Sequence, residues 1–492
     1  MSKQWSEKQE AVFDFVANGS GSAIVEAVAG AGKTTTIVEA CNRIPSNQSV
    51  LFTAYNKAIA DELKARVPAH VEARTFHSLG AGALWLASKS LKVKTTTNEY
   101  VVRDTIRSLY PESISRGAGQ AIAKLVSLAK QYGVGVLVKD LPSVWAGLVD
   151  RFEIEADDEN VSIDTVIDAA RDVFNGTVAR FSKTGVHDFD DMIYLPLAMN
   201  LNLKKYDWVF VDEAQDTNPA RRALAKKALR VGGRLVAVGD PRQAIYGFTG
   251  ADSDALDLIA REFNAKTLPL TVSYRCPRAV VEAAREFNPT IEAAPTAPEG
   301  KVEYADRLPI EALRNEDAIL CRFNAPLVEL AYTLIASGRG CRIQGRDIGA
   351  GLVKLVEKMK ARDVDTLIER LNSWKAREIE AAMAKGNERK AESIEDRASC
   401  LTTLIDRLPE NDRTIANLKR TIEGMFADTD DAKLLTLSSM HKSKGREWER
   451  VYIIDRGRVP SPYARQEWQY GQEINLLYVA YTRAKDSLVV IN

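Results

Sequence analysis

The sequence has little cysteine, little histidine and no long apolar run. Its five cysteines are scattered over 492 residues without a CxxC pair, and its four histidines are equally dispersed. This spacing argues against a zinc site or a disulfide framework and fits a reducing cytosol. No apolar run approaches the roughly 20 residues that span a bilayer. The polar N-terminus, MSKQWSEKQE, does not resemble a signal peptide. We therefore expect a cytoplasmic protein that does not span a membrane.

An excess of charge of either sign is also absent, since 67 Lys and Arg residues balance 67 Asp and Glu residues. A neutral total neither supports nor excludes nucleic-acid binding, because a basic groove can be balanced by acidic surface elsewhere. The hydrophobic fraction of 45% is ample for several cores. A chain of this length predicts about three to four domains.

Short apolar runs that alternate with helical segments predict two α/β domains with parallel sheets. Residues 23–28 and 50–54 are strand-like, and each run leads into a helical pattern, which is the alternation that crossover helices produce. A second series of such runs starts near residue 265. Two stretches between the runs show helical periodicity, and the second of them is charge-rich but nearly neutral. The predicted division is a first domain at 1–80 and 186–262 with a helical insertion at 81–185, and a second domain at 263–349 and 432–492 with a small helical insertion at 350–431.

A glycine-rich turn follows the first strand-like run. Residues 27–34 read AVAGAGKT, in which Ala27 takes the place of the first glycine of the GxxxxGK[ST] phosphate-binding loop. Backbone amides that curl around phosphate at a helix N-terminus explain this composition. Lys33 would reach the β- and γ-phosphates, and the Thr34 hydroxyl would ligate Mg²⁺. A chance Gly-rich turn is the alternative, but the flanking strand and helix disfavour it. The predicted nucleotide contacts are Ala29, Gly30, Ala31, Gly32, Lys33, Thr34 and Thr35.

An acidic pair ends the apolar run WVFV. In a sheet that carries a phosphate loop, Asp212 is placed to hold Mg²⁺ and Glu213 to orient and deprotonate the attacking water. The alternative is that Asp212 or Asp216 simply caps the helix that follows. The two motifs predict an ATPase or GTPase, and they do not separate a helicase from a kinase, a transporter subunit or a remodelling ATPase.

The remaining motifs resemble those of the UvrD/Rep type of superfamily 1 DNA helicases, in the order of that family and over nearly the whole chain. The segments that carry the resemblance are SEKQEAVFDF at 6–15, TAYNKAIADEL at 53–63, ARTFHSLG at 73–80, HDFDDMI at 187–193, DEAQD at 212–216, VGDPRQAIYGFTGAD at 238–252, SYRCP at 273–277, LSSMHKSKGREWERVYI at 437–453 and EINLLYVAYTRAKDSLVVI at 473–491.

The resemblance implies that two RecA-like domains clamp one ATP between them. An arginine finger suits the γ-phosphate because its planar fork spreads charge over the phosphate oxygens. Any single Arg or Tyr could instead be a surface ion pair or a core aromatic. The implied roles are adenine reading by Gln9, adenine stacking by Tyr274, γ-phosphate sensing by Gln243, finger contacts by Arg275 and Arg483, and a nucleotide contact by Glu447.

The resemblance also implies a path for single-stranded DNA, which is bound by stacking aromatics and backbone contacts. The chain departs from the family at Phe248, where a Trp is usual, and at Ala54, where a Phe is usual. Phe76 could equally belong to the core, and His77 could be a structural histidine. The predicted DNA contacts are Tyr55, Asn56, Thr75, Phe76, His77, Tyr246, Phe248, His441 and Lys444.

The sequence therefore predicts a Mg²⁺- and ATP-dependent DNA helicase that moves 3′ to 5′ on single strands and acts at junctions with duplex. We expect a monomer in a bacterial cytosol or nucleoid, or in the host cytosol of a phage, with repair or replication proteins as partners. The alternatives are a translocase that strips proteins from DNA and unwinds poorly, a regulatory ATP switch, and a helicase-nuclease. The chain ends at the last motif, so a nuclease is expected only as a partner.

Overall fold

The computed structural model describes residues 4–156, 158, 160–245, 247, 250, 252, 254–384, 387–426, 434–462, 464 and 466–491. The chain forms two compact units. The first comprises Met1–Ala27 and Gly32–Leu270, and the second comprises Val28–Ala31 and Thr271–Asn492. Within the part of the chain that the structure describes, no helix has the length and apolar character needed to cross a membrane.

A parallel sheet forms the centre of the first unit. The described strands are β1 (Ala23–Ala27), β2 (Val50–Ala54), β3 (Val71–Thr75), β4 (Thr96–Thr97), β5 (Val186–His187), β6 (Tyr206–Val211), β7 (Leu229–Gly239) and β8 (Lys266–Leu270). Six of them pair in the order β3-β2-β6-β7-β1-β8, and every pairing is parallel. The apolar runs of β2 and β6 are almost entirely buried, as expected for a sheet covered on both faces.

Helices cover this sheet and extend it into a helical region. The described helices of the first unit are α1 (Glu7–Asn18), α2 (Lys33–Asn42), α3 (Lys57–Lys64), α4 (Phe76–Leu91), α5 (Val101–Leu109), α6 (Glu112–Gly117), α7 (Gly119–Gln131), α8 (Pro142–Phe152), α9 (Ile163–Thr184), α10 (Asp191–Ala198), α11 (Pro219–Ala228) and α12 (Ala255–Phe263). Since the strands are parallel, the loops after β1, β2, β3, β6 and β7 all emerge at one edge of the sheet. Parallel sheets bind ligands at this edge.

The predicted helical insertion of the first domain has its own core. Helices α5 to α9 pack around Trp145, whose ring lies 5.4 Å from that of Phe174 in an edge-to-face contact. The region joins the sheet through α4, which continues across the predicted boundary at residue 80. A buried ion pair also ties it down: Lys130 Nζ on α7 lies 2.6 Å from Asp188 and 2.7 Å from Asp191.

The second unit contains another parallel sheet. Its described strands are β9 (Val272–Ser273), β10 (Glu292–Ala293), β11 (Lys301–Ala305), β12 (Ala318–Cys321), β13 (Cys341–Gln344), β14 (Leu435–Ser439), β15 (Trp448–Ile453) and β16 (Ala484–Ile491). Six of them pair in the order β11-β16-β15-β12-β14-β13, again with every pairing parallel. The two six-stranded sheets confirm the predicted pair of RecA-like α/β domains.

The described helices of the second unit are α13 (Arg278–Ala284), α14 (Ala325–Ala336), α15 (Arg346–Lys358), α16 (Val364–Ala384), α17 (Glu388–Asp406), α18 (Ile415–Met425) and α19 (Glu467–Tyr481). Five of them, α14 to α18, share one core with the sheet. Trp374, Leu401 and Ile422, from the predicted insertion at 350–431, lie in the same buried cluster as Ile319 of β12 and Leu437 of β14. The described helices of that insertion are therefore packed onto the sheet and do not stand apart from it.

Candidate functional site

The phosphate loop leaves β1 and enters α2 through two left-handed glycines. Gly30 has a φ of 76° and Gly32 a φ of 74°, a region that residues with a side chain rarely adopt. The amide of Ala31 donates to the carbonyl of Val28 at 3.1 Å, which closes the turn. The next residue, Lys33, is the first residue of α2. This is the backbone arrangement in which helix amides and the helix dipole favour an anion.

The Lys33 side chain meets the acidic pair at the end of β6. Its Nζ atom lies 2.9 Å from Oε1 and 3.1 Å from Oε2 of Glu213. Burial opposes the charged ammonium, but the carboxylates of Glu213, Asp240 and Asp212 outweigh burial and raise the pKa of Lys33. Lys33 is therefore a buried cation with three acidic neighbours. This set of charges suits a polyanionic ligand that binds together with a cation.

Asp212 and Thr34 form the part of the site that fits a magnesium ion. The Thr34 hydroxyl lies 3.3 Å from Oδ2 of Asp212, and hydroxyl and carboxylate oxygens are the ligands that Mg²⁺ prefers. Burial, and then the neighbouring Glu213, raise the pKa of Asp212 to about 6. A bound cation would favour the ionised carboxylate. The helix-cap alternative is wrong for Asp212 and Asp216, because α11 is capped by Asn218.

Glu213 is held in an unusual backbone conformation by its neighbours. Its φ of 48° is left-handed, and it precedes a short 3-10 turn over residues 214–216. Gln215 donates from Nε2 to Glu213 Oε2 at 2.5 Å and accepts from the amide of Asp240 at 3.1 Å. Gln215 thus connects the ends of β6 and β7. The sequence interpretation assigned it no role, although it lies inside the DEAQD motif.

The loop after β7 contributes Asp240 and Gln243. The Gln243 amide donates to Asp240 Oδ2 at 2.7 Å, and the Arg242 backbone amide donates to Asp240 Oδ1 at 3.0 Å. Burial raises the pKa of Asp240 to about 6, and Lys33 opposes that increase. Asp240 was also missed by the sequence interpretation. An acidic residue directly after a buried strand of the same sheet was the available signal.

Gln9 lies beside the phosphate loop. Its Nε2 donates to Thr36 Oγ1 on α2 at 2.9 Å, and it forms a reciprocal capping box with Ser6 at the start of α1. These bonds fix the amide close to Gly32, where a Cβ would lie 3.8 Å from Gln9 Nε2. The position is suitable for a contact with a nucleotide, and adenine reading by Gln9 stays a prediction.

The remaining predicted nucleotide contacts lie in the second unit. Arg275 Nε is 2.5 Å from a carboxylate oxygen of Glu447, and the Tyr274 ring is half exposed. Arg483 is buried and donates from Nε to the carbonyl of Val479 at 2.8 Å and from Nη1 to the carbonyl of Arg446 at 3.2 Å. Its Nη2 atom also donates to the hydroxyl of Thr482 at 3.2 Å. All three guanidinium nitrogens therefore have a partner in the present conformation, and the role of Arg483 as a finger stays a prediction.

Part of the phosphate loop belongs to this second unit. The amide of Tyr274 donates to the carbonyl of Gly30 at 2.9 Å, and the amide of Ala29 donates to the hydroxyl of Tyr478 at 2.9 Å. A Cβ on Gly30 would lie 2.6 Å from Arg275 Cβ, so this approach also requires glycine. Tyr478 is a contact that the sequence interpretation missed.

A cleft of about 750 Å³ opens in the first unit beside the loops after β2 and β3. We call it the aromatic cleft. Among the residues that line it are Tyr55, Asn56, Lys57, Lys64, Arg74, Thr75, His77, Phe189 and Met192. The rings of Tyr55 and Phe189 are about half exposed. Single-stranded nucleic acid binds surfaces that combine exposed aromatic rings with basic side chains.

Four predicted DNA contacts lie in the aromatic cleft, and three of them also have a local structural role or partner. Asn56 accepts from the amide of Ile59 and caps α3, while Thr75 accepts from the amide of Ser78 and caps α4. Tyr55 is exposed, and the His77 ring lies 6.4 Å from that of Phe189. Burial, and secondarily Arg221, lower the pKa of His77 to about 4. His77 is therefore neutral at pH 7 and adds no positive charge to the cleft.

The other predicted DNA contacts fall elsewhere. The prediction for Phe76 is not supported, because its ring is buried in the core cluster of the first unit and does not line the cleft. Tyr246 and Phe248 lie outside the described residues. His441 and Lys444 lie in the turn that follows β14 of the second unit. Phe189 was missed, although the HDFDDMI segment that contains it was recognised.

Comparisons with known proteins match both units. The model of the UvrD/REP helicase N-terminal domain matches residues 5–264, and that of the UvrD-like helicase C-terminal domain matches residues 352–492. The chain is similar to the ATP-dependent DNA helicase Rep of Buchnera aphidicola, with 26% identity over 295 residues that cover 54% of this chain and 42% of the relative.

Two further relatives show the same range of similarity. The F-box DNA helicase 1 of Gallus gallus is 25% identical over 495 residues, which cover 95% of this chain and 47% of the relative. The ATP-dependent DNA helicase PcrA of Staphylococcus epidermidis is 25% identical over 309 residues, which cover 57% of this chain and 39% of the relative. The chain thus spans less than half the length of these curated relatives.

Proposed function

The chain belongs to the UvrD/REP helicase family, and from that premise we propose that it is an ATP-dependent DNA helicase or translocase that moves on single-stranded DNA. One observation carries the proposal. The phosphate loop, the acidic pair Asp212 and Glu213, and the aromatic cleft all lie at the same edge of one parallel sheet. Coupling of ATP hydrolysis to movement requires a nucleotide site and a nucleic-acid site that lie this close together.

The nucleotide chemistry follows from the side chains at the phosphate loop. Lys33 supplies a cation for the phosphates, and Thr34 with Asp212 would hold Mg²⁺. When bound, the metal ion neutralises charge on the phosphate oxygens. Glu213 orients the attacking water and accepts its proton. In the present structure Glu213 is paired with Lys33, so phosphate must replace the carboxylate as the partner of Lys33 before Glu213 can act.

The negative charge that develops on the γ-phosphate oxygens during hydrolysis would be stabilised by two arginines of the second unit. Arg275 and Arg483 would serve as fingers, because a guanidinium spreads its charge over several phosphate oxygens. Arg275 is paired with Glu447, and this pair would have to open. Tyr274 is half exposed and would stack on adenine, while Gln243 would report the γ-phosphate to the loop after β7.

The DNA substrate is proposed from the aromatic cleft. Tyr55 and Phe189 would stack on bases, and Lys57, Lys64 and Arg74 would contact phosphates. Stacking tolerates any base, so we propose binding without sequence preference. His441 and Lys444 would add contacts from the second unit. Single strands and their junctions with duplex are the proposed substrates, with movement 3′ to 5′.

ATP hydrolysis with and without oligo(dT) tests this proposal. We expect strong stimulation of the wild-type rate by oligo(dT), and a loss of about 10²-fold or more in Lys33→Ala, because one preorganised cation at the phosphates is removed. Lys375→Ala is the matched control, since Lys375 is paired with Glu395 on the helical surface of the second unit. Hydrolysis that is indifferent to DNA, with an active wild type, would contradict the proposal and favour a partner-regulated ATP switch.

A translocase that strips proteins from DNA is the second candidate. The described helices of the region 350–431 are packed into the core of the second unit. This packing leaves them little surface for contact with duplex, which favours a motor that translocates more readily than it unwinds. Displacement of streptavidin from biotinylated single strands, measured beside unwinding of tailed duplex, separates the two candidates: displacement without unwinding supports the translocase.

A further inference from the structure

Arg221 lines a narrow crevice that adjoins both the aromatic cleft and the acidic pair of the first unit. Tyr55 and His77 line both the cleft and this crevice, and Asp212 and Glu213 line the crevice as well. The crevice has a volume of about 10 Å³, which leaves room for about one water molecule. Arg221 therefore lies on a short and nearly filled path between the proposed DNA site and the proposed ATP site.

On the ATP side, Arg221 holds the turn that carries Glu213. Its Nη1 donates to the carbonyl of Asp216 at 3.3 Å, and the amide of Asp216 donates to the carbonyl of Glu213 at 2.9 Å. The turn is under constraint, because Glu213 has a left-handed φ of 48°, a conformation that non-glycine residues adopt only where neighbours enforce it. A shift of the guanidinium would remove one of the contacts on this turn.

Arg221 also has a buried donor, its Nε atom, that no acceptor among the described residues bonds. Leaving a buried donor unpaired is costly, so an anion that reached the guanidinium would gain a hydrogen bond that the present structure lacks. The charge of Arg221 acts on Tyr55 and His77, which confirms that these two cleft residues are its neighbours.

We propose that Arg221 is a positioning residue that links occupancy of the aromatic cleft by single-stranded DNA to the conformation of the Glu213 turn. A backbone phosphate between Tyr55 and His77 would attract the guanidinium and weaken its bond to Asp216. The turn could then relax and release Glu213 from Lys33 and Gln215. The inference depends on the proposed DNA-dependent ATPase activity and assigns that activity a specific coupling residue.

The test compares Arg221→Gln with the wild type at saturating ATP, over a titration of oligo(dT). Arg230→Gln is the matched control, because Arg230 is exposed and pairs with Asp207 near the start of β6, away from Asp212. We expect Arg221→Gln to raise the DNA-free kcat about fivefold or more, the range of a typical coupling free energy, because the turn is released without DNA. The stimulation by oligo(dT) should fall by the same factor. The oligo(dT) affinity, measured by fluorescence anisotropy, should change by less than the kcat. Thermal melting establishes that the variant is folded.

Each outcome is decisive for Arg221. A DNA-free kcat equal to that of the wild type would overturn the inference, and so would a weaker oligo(dT) affinity with unchanged stimulation, which would make Arg221 a plain DNA contact. If Arg221→Gln does not fold, Arg221→Lys at the same site replaces it in both measurements, because it keeps the charge but loses the forked donor. A wild type without DNA stimulation would instead refute the proposed function itself.

Discussion

The Nζ atom of Lys33 lies within 3.1 Å of both carboxylate oxygens of Glu213. The residue proposed to bind phosphate thus neutralises the residue proposed to activate water. In this arrangement Glu213 is not available as a base, and the pair must separate for hydrolysis. This relationship explains how such a site could remain inactive until ATP arrives.

Replacing Glu213 by glutamine should separate binding from chemistry. Glu213→Gln keeps the shape of the side chain but removes the base, so we expect kcat to fall about 10²- to 10⁴-fold. ATP affinity, measured with a fluorescent ATP analogue, should be retained or increased, because Lys33 no longer has a competing carboxylate. Glu39→Gln, at a site where Glu39 pairs with exposed Arg43, is the control. A Glu213→Gln variant with near wild-type kcat would exclude Glu213 as the base.

Gly239→Ala should disturb the link between the two acidic loops. A Cβ at Gly239 would lie 2.4 Å from Oε1 and 3.0 Å from the amide nitrogen of Gln215, so Gln215 would have to move away from Asp240 and Glu213. We expect a lower kcat and a lower melting temperature. Gly176→Ala is the matched control: nothing lies within 4 Å of its added Cβ in α9, and alanine should stabilise that helix by up to about 1 kcal/mol. Equal effects of the two substitutions would contradict the role given to Gln215.

The aromatic cleft predicts which rings contact DNA. Tyr55→Ala and Phe189→Ala should each weaken oligo(dT) binding by about 1–3 kcal/mol, the usual contribution of one stacked base. Phe76→Ala should instead lower the free energy of unfolding by about 3–5 kcal/mol, because Phe76 belongs to the core. Anisotropy and urea unfolding distinguish the two classes. Unchanged DNA affinity in both cleft variants would mean that single-stranded DNA binds elsewhere.

The raised pKa of Asp240 predicts that the free energy of unfolding depends on pH. Its folded-state pKa of about 6 lies above the value of about 4 for an exposed Asp. As pH rises from about 4 to about 6, the unfolded chain ionises more readily than the native one, so the native state loses stability relative to Asp240→Asn. Above that window the loss is complete and constant, at about 3 kcal/mol. Urea unfolding at pH 4 and pH 7 measures it, with Asp14→Asn as the exposed control. A difference between Asp240→Asn and wild type that does not change with pH would refute this prediction.

The sequence predicted the two sheets and the phosphate site because both depend on local patterns. An apolar run followed by a glycine turn and a helix specifies where Lys33 lies, and Asp212 with Glu213 directly follows another such run. The order of these strands places the two motifs at one edge. These features require only the chain direction and the parallel pairing of strands.

Other features depend on packing that no local pattern encodes. Phe76 is buried because it lies on the face of α4 that packs against core residues of β2 and β6. Phe189 is exposed because the ion pairs of Asp188 and Asp191 with Lys130 hold the flanking backbone inward. The predicted insertion at 350–431 shares a core with the second sheet, which its charge-rich surface pattern concealed. Gln215 and Arg221 gained their assigned roles only from contacts across the fold.

The most direct test of the central claim is a stopped-flow measurement of movement along single-stranded DNA. Oligo(dT) strands of increasing length carry a fluorophore at the 5′ end, and ATP starts the reaction in the presence of a trap for released protein. We predict that the time to the fluorescence change increases in proportion to strand length, and that a 3′-end fluorophore gives no such dependence. A signal that is independent of length at both ends, from a protein that binds DNA and hydrolyses ATP, would contradict the account of a DNA motor.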